Sequence, residues 1–147
     1  LAWKIAQDSR VKILDQTNAR YLTDQQISGP LQAITCDASF ISLKLILPAA
    51  LQLAAEDSWV IALIKPQFEV GRQQVGKGGI VRDPLLHQAV CQDIENWLQQ
   101  QPGWQVMGIT DSPITGTDGN REFLIAATKQ PGIKGEQLIT QETALEK

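Results

Sequence analysis

Three charged residues stand at the ends of apolar segments, where their side chains could move a proton. Asp37 and Lys65 each follow an apolar run, and Glu122 precedes one. A lysine close to two carboxylates can hold or transfer the proton of a substrate hydroxyl when its surroundings adjust the pKa of the lysine. The same three residues could instead form a structural ion-pair cluster, with Lys65 extending its stem to reach solvent. The residues alone leave both interpretations open.

Apolar runs bounded by glycine, proline or polar turns predict five strands, at residues 11–14, 31–36, 58–64, 104–110 and 123–128. The run before Lys65 is nearly continuous, which is typical of a strand buried on both faces of a parallel sheet. Pro66 ends it, because proline has no N–H for the ladder. Open α/β sheets bind ligands at the carboxyl ends of their strands, so Asp37 and Lys65 are expected at that edge.

Helical patterns alternate with these strands. One covers residues 41–53, with Pro48 expected to kink it or to begin a new helix. Another begins at Asp83 and Pro84, which suit the N-cap and the first helical position. The alternation predicts an α/β fold with a mainly parallel sheet, and a hairpin between the last two strands makes one strand antiparallel near an edge.

Composition narrows the classes of function. The chain has 147 residues and a net charge of -3, so nucleic-acid binding would require a local basic patch. It contains no apolar run of about 18 residues and no signal-peptide pattern, so we expect no membrane span and a cytoplasmic location. Cys36 and Cys91 lack the spacing of metal ligands and are expected to be reduced core thiols, and no metal site is expected.

A glycine-rich loop at residues 68–81 carries local positive charge, with cations at Arg72 and Lys77 within it and at Arg82 directly after it. It does not match a Walker loop, because Lys77 is followed by glycine rather than by serine or threonine. A mobile substrate-binding loop and a merely solvated loop would give the same pattern.

The sequence motifs around these residues resemble those of the TlyA family of RNA 2′-O-methyltransferases, whose members are also called haemolysins. The catalytic half of that family is similar to the FtsJ (RrmJ) ribosomal RNA methyltransferases. The matching motifs occur in the same order as in the family, and the resemblance covers nearly the whole chain except its end. They are TNAR at 17–20, DASFISL at 37–43, IKPQFE at 64–69, GKGGIVRDP at 76–84, SPITG at 112–116 and GNREFL at 119–124.

The resemblance implies a Rossmann-like methyltransferase sheet, S-adenosylmethionine as cofactor, and ribosomal RNA or a ribosomal subunit as partner. It also implies a catalytic Lys-Asp-Lys-Glu tetrad, whose second, third and fourth members match Asp37, Lys65 and Glu122. The cofactor contacts of the family match Asn18, Ala19 and Asp37.

Several parts of the family pattern have no counterpart in this sequence. These are the first lysine, the glycine-rich turn that holds the cofactor, the acidic residue after the second strand, and the amino-terminal RNA-binding domain. The sequence also opens inside an amphipathic pattern without a cap residue. The resemblance therefore implies the carboxyl-terminal part of an FtsJ-like domain at 1–129, lacking its first two strands, followed by a polar tail at 130–147.

Two further expectations follow from that truncation. The fragment is expected to be inactive alone, because a lysine acts as a base only when burial or positive charge lowers its pKa, and carboxylates oppose this. The partner lysine and the positive sulfur of the cofactor would supply that charge. Exposed sheet edges are expected to cause self-association, strand exchange or a displaced amino-terminal segment.

In the implied reaction, Lys65 takes or steers the proton of a ribose hydroxyl while the enzyme aligns donor and acceptor. Asp37 holds Lys65 and the methyl-bearing end of the cofactor, and Glu122 orients Lys65 or binds the ribose. The cations of the glycine-rich loop are candidates for binding RNA phosphates. Two alternatives remain: a non-enzymatic RNA-interaction or assembly module, and a haemolysin-type membrane-active protein, although the sequence contains no basic amphipathic helix.

Overall fold

The structure is a computed structural model that describes residues 1–116 and 118–132. The end of the predicted polar tail, residues 133–147, lies outside the described residues. None of the helices in the described part of the chain is long and apolar enough to cross a membrane. The elements are α1 (Trp3–Ala6), β1 (Leu31–Cys36), α2 (Leu43–Gln52), β2 (Ala54–Ile64), α3 (Pro84–Gln99), β3 (Trp104–Asp111) and β4 (Phe123–Lys129).

The four strands form one sheet in the order β1-β2-β4-β3. β1 and β2 are parallel, and β4 is antiparallel to both of its neighbours, β2 and β3. Three strands therefore run in one direction, and the reversed strand lies one place in from the β3 edge. This confirms the predicted α/β fold with a mainly parallel sheet and one antiparallel strand near an edge.

One face of the sheet carries the core. Val60, Ala62 and Ile64 of β2 are buried against one cluster of side chains, which also includes Leu47 of α2 and Ile94 of α3. Both long helices therefore cover the same face. Their apolar stripes explain why helical periodicity was readable in the sequence.

Among the described residues, the opposite face of the sheet is open, and the prediction that β2 is buried on both faces is wrong there. Trp59 and Ile61 alternate with the buried residues of β2 and are 41% and 39% exposed. Met107 of β3 is 65% exposed. The apolar run correctly predicts a strand, but it cannot show which elements cover each face.

The predicted strand at residues 11–14 is also wrong, because these residues form no ladder. Val11 donates its N–H to the carbonyl of Asp8 at 3.0 Å, and the Lys12 ammonium bonds the Gln26 carbonyl at 3.0 Å. Alternating side chains favour an extended backbone, but a strand also needs a neighbour to accept its hydrogen bonds. Among the described residues, β1 pairs with β2 and forms one edge of the sheet.

The helix starts follow from local chemistry. Asp83 caps α3 as predicted, because its carboxylate accepts a hydrogen bond from the N–H of Leu85 at 2.9 Å. Ser42 caps α2 in the same way, accepting from the N–H of Lys44 at 3.2 Å. Pro48 lies inside α2, so it does not begin a new helix.

The start of α2 is also bonded to Glu69, beyond the carboxyl end of β2. The Glu69 carboxylate accepts from the Ser42 hydroxyl at 2.6 Å and from the Leu43 N–H at 2.9 Å. Burial raises the pKa of Glu69, although these two hydrogen bonds and the nearby Lys44 ammonium lower it. The folded protein therefore holds a proton on this carboxyl more tightly than the unfolded chain does.

This raised pKa predicts a specific dependence of stability on pH. The native state binds more protons than the unfolded state in this window, so Glu69 lowers the free energy of unfolding as pH rises from the ordinary glutamate pKa to the raised one. In urea unfolding, the stability difference between the wild type and Glu69→Gln should favour the wild type most at the acid end of that window. A difference that stays constant with pH would contradict the raised pKa.

Candidate active site

The strand register brings the three charged residues to one edge of the sheet. Ile64 of β2 pairs with Phe123 of β4 in antiparallel register, so the adjoining Lys65 and Glu122 reach the same edge. The parallel strand β1 ends there too, and Asp37 follows it directly. Because β4 is reversed, its beginning lies beside the ends of β1 and β2.

Lys65 is held by Asp37 and Ser39. Its ammonium nitrogen lies 2.5 Å from Oδ1 of Asp37 and donates a hydrogen bond to the Ser39 hydroxyl at 3.2 Å. The Lys65 side chain is 12% exposed, whereas that of Asp37 is 70% exposed. The lysine is therefore restrained inside the site, while the carboxylate that restrains it stays open to solvent and to ligands.

Glu122 is buried and takes its hydrogen bond from a different residue. The Gln67 amide donates to Oε2 of Glu122 at 3.1 Å, and Glu122 is 7% exposed. Within the described residues, the ion pair of Lys65 is with Asp37 and not with Glu122. Two roles were expected for Glu122: orienting Lys65 or binding the ribose. Glu122 forms no ion pair with Lys65 in this arrangement, so it does not orient Lys65 directly.

The Glu122 carboxylate also packs closely on Gly116. A Cβ atom at Gly116 would lie 2.8 Å from Oε2 of Glu122, closer than such contacts allow. A residue larger than glycine at this position would force the Glu122 carboxylate to shift. The turn between β3 and β4 therefore shapes the site as directly as the strands do.

The three charged side chains line a cavity of about 720 Å³. Phe40 and Phe68 line it as well, with ring centroids 4.9 Å apart. Phe40 is 89% exposed and its backbone has φ 65°, a conformation that non-glycine residues rarely adopt. Gly79 of the glycine-rich loop also lines the cavity.

A second cavity, of about 370 Å³, lies along β1 and α2 and includes Ala19 and Asp37 among its walls. Asp37 thus borders both cavities. Asn18 is exposed and caps a short 3₁₀ turn at Ala19–Tyr21, where its side chain accepts from the N–H of Arg20 at 3.0 Å. The structure brings Ala19 and Asp37 together, and it uses the Asn18 side chain oxygen locally.

The glycine-rich loop is built from short 3₁₀ turns, including Arg72–Gln74 and Lys77–Gly79. The three predicted RNA-binding residues, Arg72, Lys77 and Arg82, are exposed on it. The Arg82 guanidinium donates to the Lys77 carbonyl at 3.1 Å, which links two of the cations through the backbone. Val75 and Gly79 of the same loop line the larger cavity, whereas none of the three cations is among its lining residues.

Sequence reasoning missed three residues that shape the site: Ser39, Gln67 and Asn120. Ser39 meets Lys65 across 26 positions, Gln67 meets Glu122 across 55, and Asn120 meets the glycine-rich loop across 41. These are ordinary polar residues whose partners are distant in the chain. The one sequence signal for these residues was that each lies inside a motif that matches the family.

Neither cysteine is suited to nucleophilic chemistry. Burial raises the pKa of Cys36, with a further contribution from Asp37 and an opposing one from Lys65. Burial also raises the pKa of Cys91 to about 11. Both thiols are therefore protonated at neutral pH, and both are partly buried.

Known proteins resemble this chain over most of its length. The family model for FtsJ-like methyltransferases matches residues 1–129. YqxC of Bacillus subtilis, described as an rRNA methyltransferase, is 48% identical over 126 residues, which are 85% of this chain and 44% of YqxC. TlyA of Mycobacterium tuberculosis, a 16S/23S rRNA (cytidine-2′-O)-methyltransferase, is 42% identical over 125 residues, which are 85% of this chain and 46% of TlyA.

A solved structure from Streptococcus thermophilus, described as a hemolysin, superposes with a TM-score of 0.82 at 37% identity. The superposition covers 99% of this chain and 53% of that one. The chain spans about half the length of the curated relatives it matches. The family match and these identities show that this chain belongs to the FtsJ-like methyltransferase family, with TlyA and YqxC among its relatives.

Proposed function

We propose that this chain is the carboxyl-terminal part of an enzyme that methylates the ribose 2′-hydroxyl of ribosomal RNA, with S-adenosylmethionine as methyl donor. The observation that carries the proposal is one cavity lined by Asp37, Lys65 and Glu122 and bordered by a basic loop. A restrained lysine, two carboxylates and neighbouring cations meet the requirements of proton control and RNA binding. We place the enzyme in the cytoplasm, where ribosomal RNA is found.

Asn18, Ala19 and Asp37 would hold the cofactor, which supplies an electrophilic methyl group when bound. The fit rests on Asp37 and Ala19, which share the smaller cavity. The exposed Asp37 carboxylate borders both cavities and favours a positively charged group between them. The turn at Ala19 is fixed by Asn18, whose side chain oxygen accepts from the N–H of Arg20 and whose carbonyl accepts from the N–H of Tyr21.

Lys65 would act on the acceptor hydroxyl in the larger cavity. Asp37 and Ser39 fix the direction of its amino group, so Lys65 can steer the proton that the 2′-hydroxyl loses as its oxygen is methylated, or take that proton when the amine is neutral. Gln67 fixes the Glu122 carboxylate, which can then accept a hydrogen bond from the ribose. Alignment of the two reactants accounts for much of the rate enhancement in this proposal.

Arg72, Lys77 and Arg82 would bind RNA phosphates beside the cavity. Phosphate contacts position a nucleic acid without reading its sequence, and each neutralised phosphate makes binding to single strands more salt-dependent by a slope of about 0.7. The loop supplies the local basic patch that a chain with a net charge of -3 needs.

A chimeric enzyme tests the proposed function. Residues 1–129 replace the matching segment of YqxC, and transfer of a labelled methyl group from S-adenosylmethionine to ribosomal RNA is measured. The chimera should methylate RNA at 2′-hydroxyls, whereas this chain alone should bind the cofactor weakly in calorimetry and show no turnover. A folded chimera that binds both reactants without transferring the methyl group would refute the proposal.

We also propose that the chain self-associates through its open sheet face and through the edge of β1 that is unpaired within the described residues. Trp59 and Ile61 present apolar area on that face, and unpaired edge strands recruit further strands. Sedimentation should show a dimer or larger species whose fraction rises with concentration. Trp59→Lys should shift the equilibrium towards monomer.

Leu85→Lys is the matched control for self-association, because Leu85 is 73% exposed on α3, away from the sheet face. It should leave the sedimentation profile unchanged. A wild-type protein that stays monomeric at every concentration would contradict the proposal.

A further inference from the structure

Asn120 connects the glycine-rich loop to the turn that precedes β4. It is 3% exposed. Its side chain oxygen accepts from the N–H of Val81 at 3.0 Å, and its amide nitrogen donates to the carbonyl of Gly79 at 2.9 Å. Its own carbonyl accepts from the N–H of Gly116 at 2.8 Å. One residue therefore satisfies backbone groups of two separate loops.

The chemistry of these contacts requires a side chain that both donates and accepts. Buried backbone groups that lose their partners are costly, so the paired N–H of Val81 and carbonyl of Gly79 depend on Asn120. Aspartate could accept from Val81, but it could not donate to Gly79. Alanine could do neither.

Two other contacts hold the same segment. The His87 ring nitrogen Nε2 bonds the Val81 carbonyl at 2.7 Å, and the N–H of Gly76 donates to the Ile80 carbonyl at 2.9 Å. His87 is 6% exposed and its ring contacts Phe123 edge-on. The loop is thus closed on itself and attached to α3, while Asn120 supplies its attachment to the turn beside the catalytic edge.

That turn is in contact with Glu122. Asn120 precedes Glu122 by two positions, and Gly116, which Asn120 bonds, packs against the Glu122 carboxylate. The position of the loop that carries Lys77 and Arg82 is therefore set by the same residue that shapes the turn around Glu122.

We propose that Asn120 is a positioning residue that locks the basic loop to the catalytic edge, so that RNA-binding cations and Glu122 keep a fixed geometry. This inference rests on the proposed function for the role of the loop in RNA binding. A loop that is already ordered before RNA arrives avoids the entropy cost of ordering it on binding. Asn120 acts through this order and not through contact with the reacting atoms.

The test compares Asn120→Ala and Asn120→Leu, both neutral and both without the two side chain hydrogen bonds, with Lys77→Gln in the whole chain. Hydrogen exchange of the Val81 amide reports loop order, and fluorescence anisotropy with a short labelled single-stranded RNA reports affinity at several salt concentrations. Both Asn120 variants should raise exchange at Val81 roughly tenfold and weaken RNA binding about two- to tenfold. Their salt slope should match that of the wild type, because neither variant removes a cation.

Lys77→Gln gives the opposite signature. It should lower the salt slope by about 0.7 and leave exchange at Val81 unchanged. Unchanged exchange in both Asn120 variants would overturn the inference, as would raised exchange with RNA affinity intact while Lys77→Gln weakens binding. If Asn120→Ala does not fold, Asn120→Leu decides, because it keeps the approximate size and the neutral charge of the side chain and loses both hydrogen bonds.

If the wild type does not bind the RNA probe, the RNA-binding part of the proposed function fails. The exchange measurement then tests by itself whether Asn120 holds the basic loop in place. Faster exchange at Val81 in the Asn120 variants supports this role, and unchanged exchange overturns it. The two proposals therefore fail by different observations.

Discussion

Replacing Lys65 with alanine in the chimeric enzyme should lower the rate of methyl transfer by roughly 10²–10⁴-fold, the usual contribution of a positioned proton-transfer group. The amino group of Lys65 is fixed by Asp37 and Ser39 at the edge of the cavity, so its loss removes the group that controls the acceptor proton. S-adenosylmethionine binding, measured by calorimetry, should be largely unchanged. The defect should therefore appear in turnover.

This variant is expected to fold, because the carboxylate it leaves behind is 70% exposed and can be solvated. Lys44→Ala is the matched control, since Lys44 forms a surface ion pair with Asp93 at 2.5 Å, outside the cavity. It should retain full activity. Retained turnover in Lys65→Ala would remove Lys65 from the mechanism.

Replacing Ile64 with alanine should lower the free energy of unfolding by about 2–5 kcal/mol, as is usual when a buried isoleucine is truncated. Ile64 is 0% exposed and lies in β2 immediately before Lys65. Its side chain packs in the core between the sheet and the helices. Urea unfolding at fixed protein concentration measures the loss.

Ile61→Ala is the matched control on the same strand. Ile61 is 39% exposed on the open face, so its truncation should cost less than about 1 kcal/mol in dilute protein. Equal losses at the two positions would mean that the open face is covered in solution. A loss at Ile61 that grows with protein concentration would identify a second copy of the chain as the cover.

Local sequence patterns predicted most of the fold, because apolar periodicity, cap residues and turn residues indicate where the helices and strands lie. β1 was predicted at its observed bounds, and Asp83 with Pro84 marked the start of α3, because capping and turn chemistry act over a few residues. The strand predicted at residues 11–14 failed because its alternation is local, whereas a ladder depends on a neighbouring strand. The prediction that both faces of β2 are buried failed for a related reason. Whether the face that carries Trp59 is covered depends on elements that are distant in the sequence.

The candidate site was predictable in part. Asp37, Lys65 and Glu122 stood out because strand ends converge at one edge, and the resemblance to TlyA-type enzymes gave them roles. The separate partners of Lys65 and Glu122 were not predictable, because they depend on side chain contacts between distant segments. The assignment of Arg72 to RNA binding stays a prediction.

The strand order has a consequence for how the protein folds as it is synthesised. β4 is the last of the described strands in the sequence, yet it lies between β2 and β3 in the sheet. Until β4 leaves the ribosome, β3 has no strand partner among the described elements, and one edge of β2 is open. Folding of the sheet must therefore wait until β4 has been synthesised, and such long-range pairing is slow and exposes strand edges. The edge that carries Lys65 is completed by the same event, because Glu122 arrives with the strand that closes the sheet.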